Sequence, residues 1–298
     1  MGVSLAGFTE HPRTEAAVEW LRAHVVGVAI ADVIANIIIV VTGGVVRLTG
    51  SGLGCPTWPQ CQGGDLVPHG ALSINKFIEF TNRTLTYVLA AVAIAAVIAV
   101  WNRPGKVRRL AVGIALGIPL QAVIGGISVL TKLNPWVVSL HLLASMAMVC
   151  LCVWLLDLLS SPSRPEAPRL ATGLAAATFV VGWVALWLGT VTTGSGPHSG
   201  DLDSKRTGLN PAHVALVHSY SVDLLVALTV ALLVVAWRTP YLRLVAAALL
   251  AVEVGQGVVG WIQYETGLPA WVVGLHMLGA ALTAAGLARL VLATRPHT

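Results

Sequence analysis

The sequence predicts an all-α integral membrane protein: eight transmembrane helices formed by two repeated four-helix bundles, with both termini cytoplasmic. Three observations predict it. The 298 residues are 56% hydrophobic and only 10% charged, with a mean hydropathy of +0.81, far from what a soluble core requires. Stretches lacking Asp, Glu, Lys and Arg recur at 84–102, 110–131, 133–156, 170–200 and 266–288, each long enough to cross about 30 Å of hydrocarbon as a helix. The second half of the chain also repeats the first.

Residues 1–23 carry Glu10, Glu15 and Glu19 and lack an apolar centre, so a cleavable signal peptide is not expected and this segment should stay cytoplasmic. Spans follow near 24–46, 76–100, 110–131, 136–158, 170–193, 211–237, 241–263 and 269–292. The first, sixth and seventh each carry an acid, Asp32, Asp223 and Glu253. Arg13, Arg22, Arg103, Lys106, Arg108, Arg109, Arg164, Arg169, Arg238, Arg243, Arg289 and Arg295 fall on one side, twelve in all, against five on the other, Arg47, Lys76, Lys132, Lys205 and Arg206. Positive residues in short loops stay in the cytoplasm, which orients the chain. The net charge of +5 is therefore a topology signal and argues no nucleic-acid binding.

Cys55 and Cys61 lie in the non-cytoplasmic loop after the first span, "GCPTWPQCQ", where a disulfide is allowed. The spacing and two prolines suit a loop-closing bridge better than a metal site, since His69 is the one soft ligand nearby. Cys150 and Cys152 sit two apart within a span, face different ways and read as small core residues.

"PWVVSLHLLAS" at 135–145 aligns with "AWVVGLHMLGA" at 270–280, a shift of 135 that places His141 on His276, Gln121 on Gln256 and Gly125 on Gly260. "TGSG" at 49–52 recurs at 193–196 with a shift of 144. Four spans per repeat give both bundles one orientation, related by an axis along the membrane normal. A shift of 136 puts Asn82 on His218 and Arg83 on Ser219. Each half thus offers one polar residue early in its second span and one histidine early in its fourth.

His141 is six residues past Pro135 and His276 seven past Pro269, about 10 Å below the outer surface at 1.5 Å per residue. Asn82 and His218 enter to similar depth. Ionisable groups there are expensive and usually mark a site, although a neighbouring carbonyl or hydroxyl satisfies many of them. Two neutral histidines facing inward from different helices meet the requirement for axial haem ligation, and His218 with His276 fits it. His213 is nearer water and on another face, His69 and His198 are in outer loops, and His11, His24 and His297 are at the cytoplasmic side. Gly43, Gly44, Gly125, Gly126, Gly255, Gly257 and Gly260 suit a slot for a planar ligand and suit ordinary helix packing equally. Arg47 and Arg83, at outer ends of spans, are candidate partners for haem propionates or for lipid headgroups.

"GGVVRLTGSGLGCPTWPQC", then "EFTNR", then a histidine early in spans 4, 6 and 8 resembles the haem A synthase family over about residues 40–284. The resemblance implies oxidation of the methyl at position 8 of haem O to a formyl through successive hydroxylations, giving haem A for cytochrome oxidase. It implies a substrate haem in an N-terminal bundle, 24–159, and a cofactor haem b in a C-terminal bundle, 170–293, joined by a cytoplasmic linker, 160–169, with a tail at 294–298. It further implies His218 and His276 as haem b ligands, His141 at the substrate site, Glu79 as the essential carboxylate, and a Cys55–Cys61 disulfide over that site. Implied partners are haem O, a haem O synthase and an electron acceptor outside the chain, in the cell membrane with the haem sites toward the non-cytoplasmic side. Oligomerisation is left open.

Two departures stand out. Many members of that family have Glu-x-x-His where this chain has Glu79-Phe80-Thr81-Asn82, and a second cysteine pair where it has "GSGPHSGD". Asn is a poor iron ligand, which leaves His141 as the sole protein ligand or admits water or oxygen at the sixth position. Glu79 shares a face with Asn82 and is within reach of Arg83. It either exchanges protons with the reacting groups or is held ionised and stabilises positive charge on the oxidised porphyrin. A b-type cytochrome explains the histidine pair but has no use for Glu79, and a haem transporter or chaperone would bind haem unchanged. A haem O prenyltransferase needs Asp-rich Mg²⁺ motifs, and Asp201 with Asp203 is too little.

Overall fold

A computed structural model describes residues 12–61, 64–65, 73–160, 162–164 and 166–296. Their helices are α1 (Pro12–Ala23), α2 (Val25–Leu48), α3 (Ile74–Val100), α4 (Gly105–Leu130), α5 (Pro135–Ser160), α6 (Arg169–Ser195), α7 (Pro211–Val235), α8 (Pro240–Glu265) and α9 (Ala270–Ala293). Helices α2 to α9 are eight segments long and apolar enough to cross a membrane, making this a multi-pass membrane protein. The largest departure from the expected spans is at α4, which begins at Gly105 where hydropathy placed residue 110. Lys106, Arg108 and Arg109 extend the helix beyond its apolar part, so hydropathy marks the hydrocarbon segment and misses the helix end. Helix α1 was expected only as a polar segment; it carries Arg13, Glu15, Glu19 and Arg22 and buries no residue. His11, His69 and His297 lie outside the described residues.

Local chemistry sets the helix starts. Ser73 accepts a bond from the Lys76 N–H to cap α3, and Asn210 accepts from the N–H groups of Ala212 and His213, with Pro211 opening α7. The α4–α5 and α8–α9 hairpins turn alike: Leu133 and Leu268 both take positive φ, 55° and 62°. Their N–H groups reach back to Ser128 O and Gln263 O, each at 2.7 Å. A left-handed leucine is strained, and here it recurs at the repeat shift of 135.

Each half has its own core. Leu89, Ala93, Ile114, Ile118 and Leu155 pack among α2–α5, and Ala175, Leu225, Leu232, Leu249 and Leu287 among α6–α9. The halves meet along α5 and α9, where Val40, Met146, Ala281 and Ala284 form a joint cluster and the Cys150 thiol donates to Ala284 O at 3.3 Å. Cys152 faces the other way, accepting from Asn36 Nδ2 at 3.3 Å beside Asp32. At the end bearing Cys55 the loops of the two halves interlock: Gly52 N–H donates to Gly200 O at 2.9 Å. At the opposite end Asp157 of α5 pairs with Arg164 and with Arg289 of α9.

Candidate functional site

The second half contains a large cavity. It measures about 740 Å³ and lies between α7 and α8, lined by His218, Val222, Gln256, Gly260, Trp261 and His276 among others. The imidazoles of His218 and His276 both line it, edge-on to one another, with ring centres 6.4 Å apart and planes at 87°. A metal–imidazole bond is about 2.0–2.1 Å and the ring centre is ~1.1 Å behind its nitrogen, so two trans imidazoles on one metal stand about 6.3 Å apart. The observed separation fits that arrangement. Among the described residues no three His, Cys, Asp or Glu side chains gather round one point. A metal on this pair would need its remaining ligands from outside these side chains, which a macrocycle can supply.

Glycines set the ring positions. A Cβ on Gly189 of α6 would stand 3.2 Å from His218 Cε1, and one on Gly260 of α8 would stand 3.3 Å from His276 Cε1. Nδ1 of both histidines is buried with no hydrogen-bond partner of normal geometry. Gln256, noted in the sequence only as the mate of Gln121, donates through Nε2 to His276 O at 2.8 Å, bracing α8 on α9. His213 is exposed, and His198 Nε2 is 2.9 Å from Leu268 O, tying two loops together.

The first half carries the related geometry with different residues. Gly125 faces His141, with 3.2 Å from its would-be Cβ to His141 Cε1. His141 Nδ1, Asn82 Oδ1 and both amide atoms of Gln121 are buried without partners. Such a set of unsatisfied polar atoms is rare in a finished core and suits a bound polar or metal-bearing ligand. The indole of Trp58, from the outer loop, rests where a side chain on Gly126 would be, next to Gly125.

Glu79 is 4% exposed, and both its oxygens are engaged. Oε2 accepts from Cys55 N–H at 2.6 Å, and Oε1 accepts from Arg83 Nε at 3.1 Å and Nη2 at 2.6 Å. Arg83 donates further to Cys55 O, Thr57 O and Gln60 O at 2.9, 3.2 and 3.4 Å. Cys55 and Cys61 are disulfide-bonded and fully buried. The ion pair therefore clamps the disulfide loop onto α3. The i,i+4 pairing was legible in the sequence, but its backbone partners were not, because carbonyl acceptors leave no residue signature. Arg47 is likewise committed to backbone across the two halves: Nε donates to His198 O at 2.7 Å and Nη2 to Thr193 O at 3.0 Å.

The chain is similar to proteins described as heme A synthase: 30% identical over 148 residues to that of Bacillus licheniformis, covering 47% of this chain and 48% of the relative. With the Staphylococcus epidermidis protein it is 33% identical over 106 residues, a third of each chain. With the Shewanella oneidensis protein it is 28% identical over 144 residues, 43% of each. The chain thus spans about half the length of the curated relatives it matches, or less. The family model described as cytochrome oxidase assembly protein, COX15-CtaA, matches residues 27–197, more than half of the sequence and all of α3 to α6. The chain belongs to this cytochrome oxidase assembly protein family.

Proposed function

We propose that the protein is a haem A synthase, an oxidoreductase that converts the methyl at position 8 of haem O to a formyl through hydroxylated intermediates. The observation that carries the reading is the asymmetry between halves. His218 and His276 stand with ring centres 6.4 Å apart and would serve as an axial pair, whereas their repeat mates are Asn82 and His141, with Glu79 one helical turn from Asn82. One half is suited to hold a haem permanently and the other to leave one face of a haem accessible.

In this reading residues 24–159 hold the substrate and 170–293 the cofactor, in the cell membrane with both sites toward the non-cytoplasmic side. A haem b held by His218 and His276 supplies one-electron redox chemistry between the substrate and an acceptor outside the chain. His141 binds haem O from one face, and Asn82 leaves the opposite face open. Glu79, bonded through both oxygens to Arg83 and Cys55 N–H, keeps a fixed negative charge beside the substrate and stabilises positive charge developing on it. That pairing favours the electrostatic role over proton exchange, because protonation would remove the negative charge paired with Arg83. The disulfide loop, with Trp58 on Gly126, closes the site from above. Arg47 and Arg83 are the candidate propionate partners, and a propionate at Arg83 competes with the loop carbonyls for its donors. A haem O synthase is the natural supplier of substrate.

The test is expression in a host that makes haem O but no haem A, followed by chromatography of extracted haems. Haem A or its hydroxymethyl precursor is expected. Haem O alone, with the chain present in the membrane, would refute the synthase and favour a b-type cytochrome or a haem carrier.

A further inference from the structure

A second space of about 100 Å³ shares His218, Gln256 and His276 with the larger cavity and is lined also by Glu253. Glu253 is 2% exposed and sits seven residues from Gly260, about 10 Å deeper along α8. The space is bounded by α5, α6, α7, α8 and α9, and the titratable groups that line it are Glu253, His218 and His276; the larger cavity adds His198, Asp223 and Tyr264. No Lys or Arg lines either space. Oε2 of Glu253 is buried without a partner.

Oε1 stands 2.9 Å from Thr229 Oγ1, which in turn stands 3.1 Å from Leu225 O. A hydroxyl has a single proton to donate. With the carboxyl ionised, Thr229 donates to Glu253. With it protonated on Oε1, Glu253 donates to Thr229 and Thr229 donates to Leu225 O. The same heavy atoms therefore accommodate both charge states without moving. Packing does not demand this arrangement: the repeat mates of Thr229 and Glu253 are Ala93 and Ile118, both buried in the apolar core of the first half. The carboxyl belongs to the half that carries the histidine pair.

A lone carboxylate at this depth is costly unless a positive charge is near. An iron porphyrin core with two neutral imidazoles carries one positive charge when ferric and none when ferrous. We propose that Glu253 exchanges one proton with each electron carried at the His218–His276 centre, being ionised when the centre is oxidised and protonated when it is reduced. The proposal rests on the reading of that pair as axial ligands. The electron comes from oxidation of the substrate methyl and leaves to a one-electron acceptor outside the chain, while the proton is drawn from water and returned to it. Charge in the low-dielectric interior then stays constant as electrons pass.

The experiment is a spectroelectrochemical titration of the low-spin haem in the purified full chain at about pH 6, 7 and 8. The wild-type midpoint should fall as pH rises, approaching about 59 mV for each tenfold change in proton activity at one electron. Glu253→Gln should reduce that slope to less than a third. An equal slope in the variant, or a flat wild type, overturns the proposal, as does loss of the slope in Asp223→Asn alone. If the Gln variant does not assemble, redox-difference infrared spectra of the wild type decide: a protonated-carboxyl band should appear on reduction, and its absence overturns the proposal. Low-spin haem that persists in both His218→Ala and His276→Ala would instead remove the ligand reading on which it rests.

Discussion

Arg83→Gln tests the clamp over the first half. Arg83 is bonded to Glu79 and to three loop carbonyls. Removing one partner of a buried ion pair costs about 3–5 kcal/mol. The Arg83 side chain is 23% exposed and Glu79 6%, so water compensates part of the loss, and about 2–4 kcal/mol is a reasonable range. That energy acts on local opening of the loop, because the broken bonds join 55–60 to α3. Both disulfide cysteines are fully buried, so a reductant must wait for the loop to open. At about 1.4 kcal/mol per factor of ten, reduction should accelerate at least ~30-fold if opening precedes attack. The assay is thiol labelling of Cys55 and Cys61 against time in dilute reductant, with haem content confirming a folded chain. Arg83→Lys keeps the charge but loses the fork and should fall between wild type and Gln. In the double variant with Glu79→Gln the two effects should be less than additive by about 1–2 kcal/mol. A Gln variant whose disulfide is reduced at the wild-type rate would refute the clamp.

Three further outcomes follow from the geometry. Gly189→Ala and Gly260→Ala place a methyl 3.2 and 3.3 Å from an imidazole carbon, so each should displace a ring by a few tenths of an ångström and shift the low-spin g-values in electron paramagnetic resonance. Gly255→Ala, which meets nothing within 4 Å, should leave them unchanged, and equal effects at all three would dismiss the glycine contacts. Arg47→Gln removes two charge-assisted bonds between the halves and should lower stability by about 2–3 kcal/mol, read as an earlier thermal transition in detergent; an unchanged transition would deny the tie. Asn82→His should turn bound haem O toward six-coordinate low-spin spectra, and a spectrum indifferent to the change would place Asn82 away from the iron.

The fold was legible because the bilayer imposes a strong rule: eight apolar segments are the eight spanning helices, α2 to α9. The histidine pair was legible because duplication gives a single sequence an internal comparison, and His218 and His276 do come together at one cavity. Less visible were features carried by backbone or by distance. Arg47 reads as an interfacial cation, yet its acceptors are carbonyls of His198 and Thr193, 151 and 146 residues away. Trp58 reads as a loop tryptophan until Gly126 leaves room for it. Glu253 reads as a stray acid in a span, and only Thr229 beside it and the cavity beyond give it a place. Helix α1 was hidden because it carries four charges among its twelve residues and buries none of them.

The central claim is a division of labour: one half acts on haem O while the other carries electrons. It is tested most directly by giving haem O and a one-electron acceptor to the purified chain and chromatographing the extracted haems with time. Haem A, preceded by its hydroxymethyl precursor, should accumulate in wild type while His276→Ala yields neither. Haem O recovered unchanged, while the low-spin haem is reduced and reoxidised normally, would contradict the account and make the protein an electron carrier.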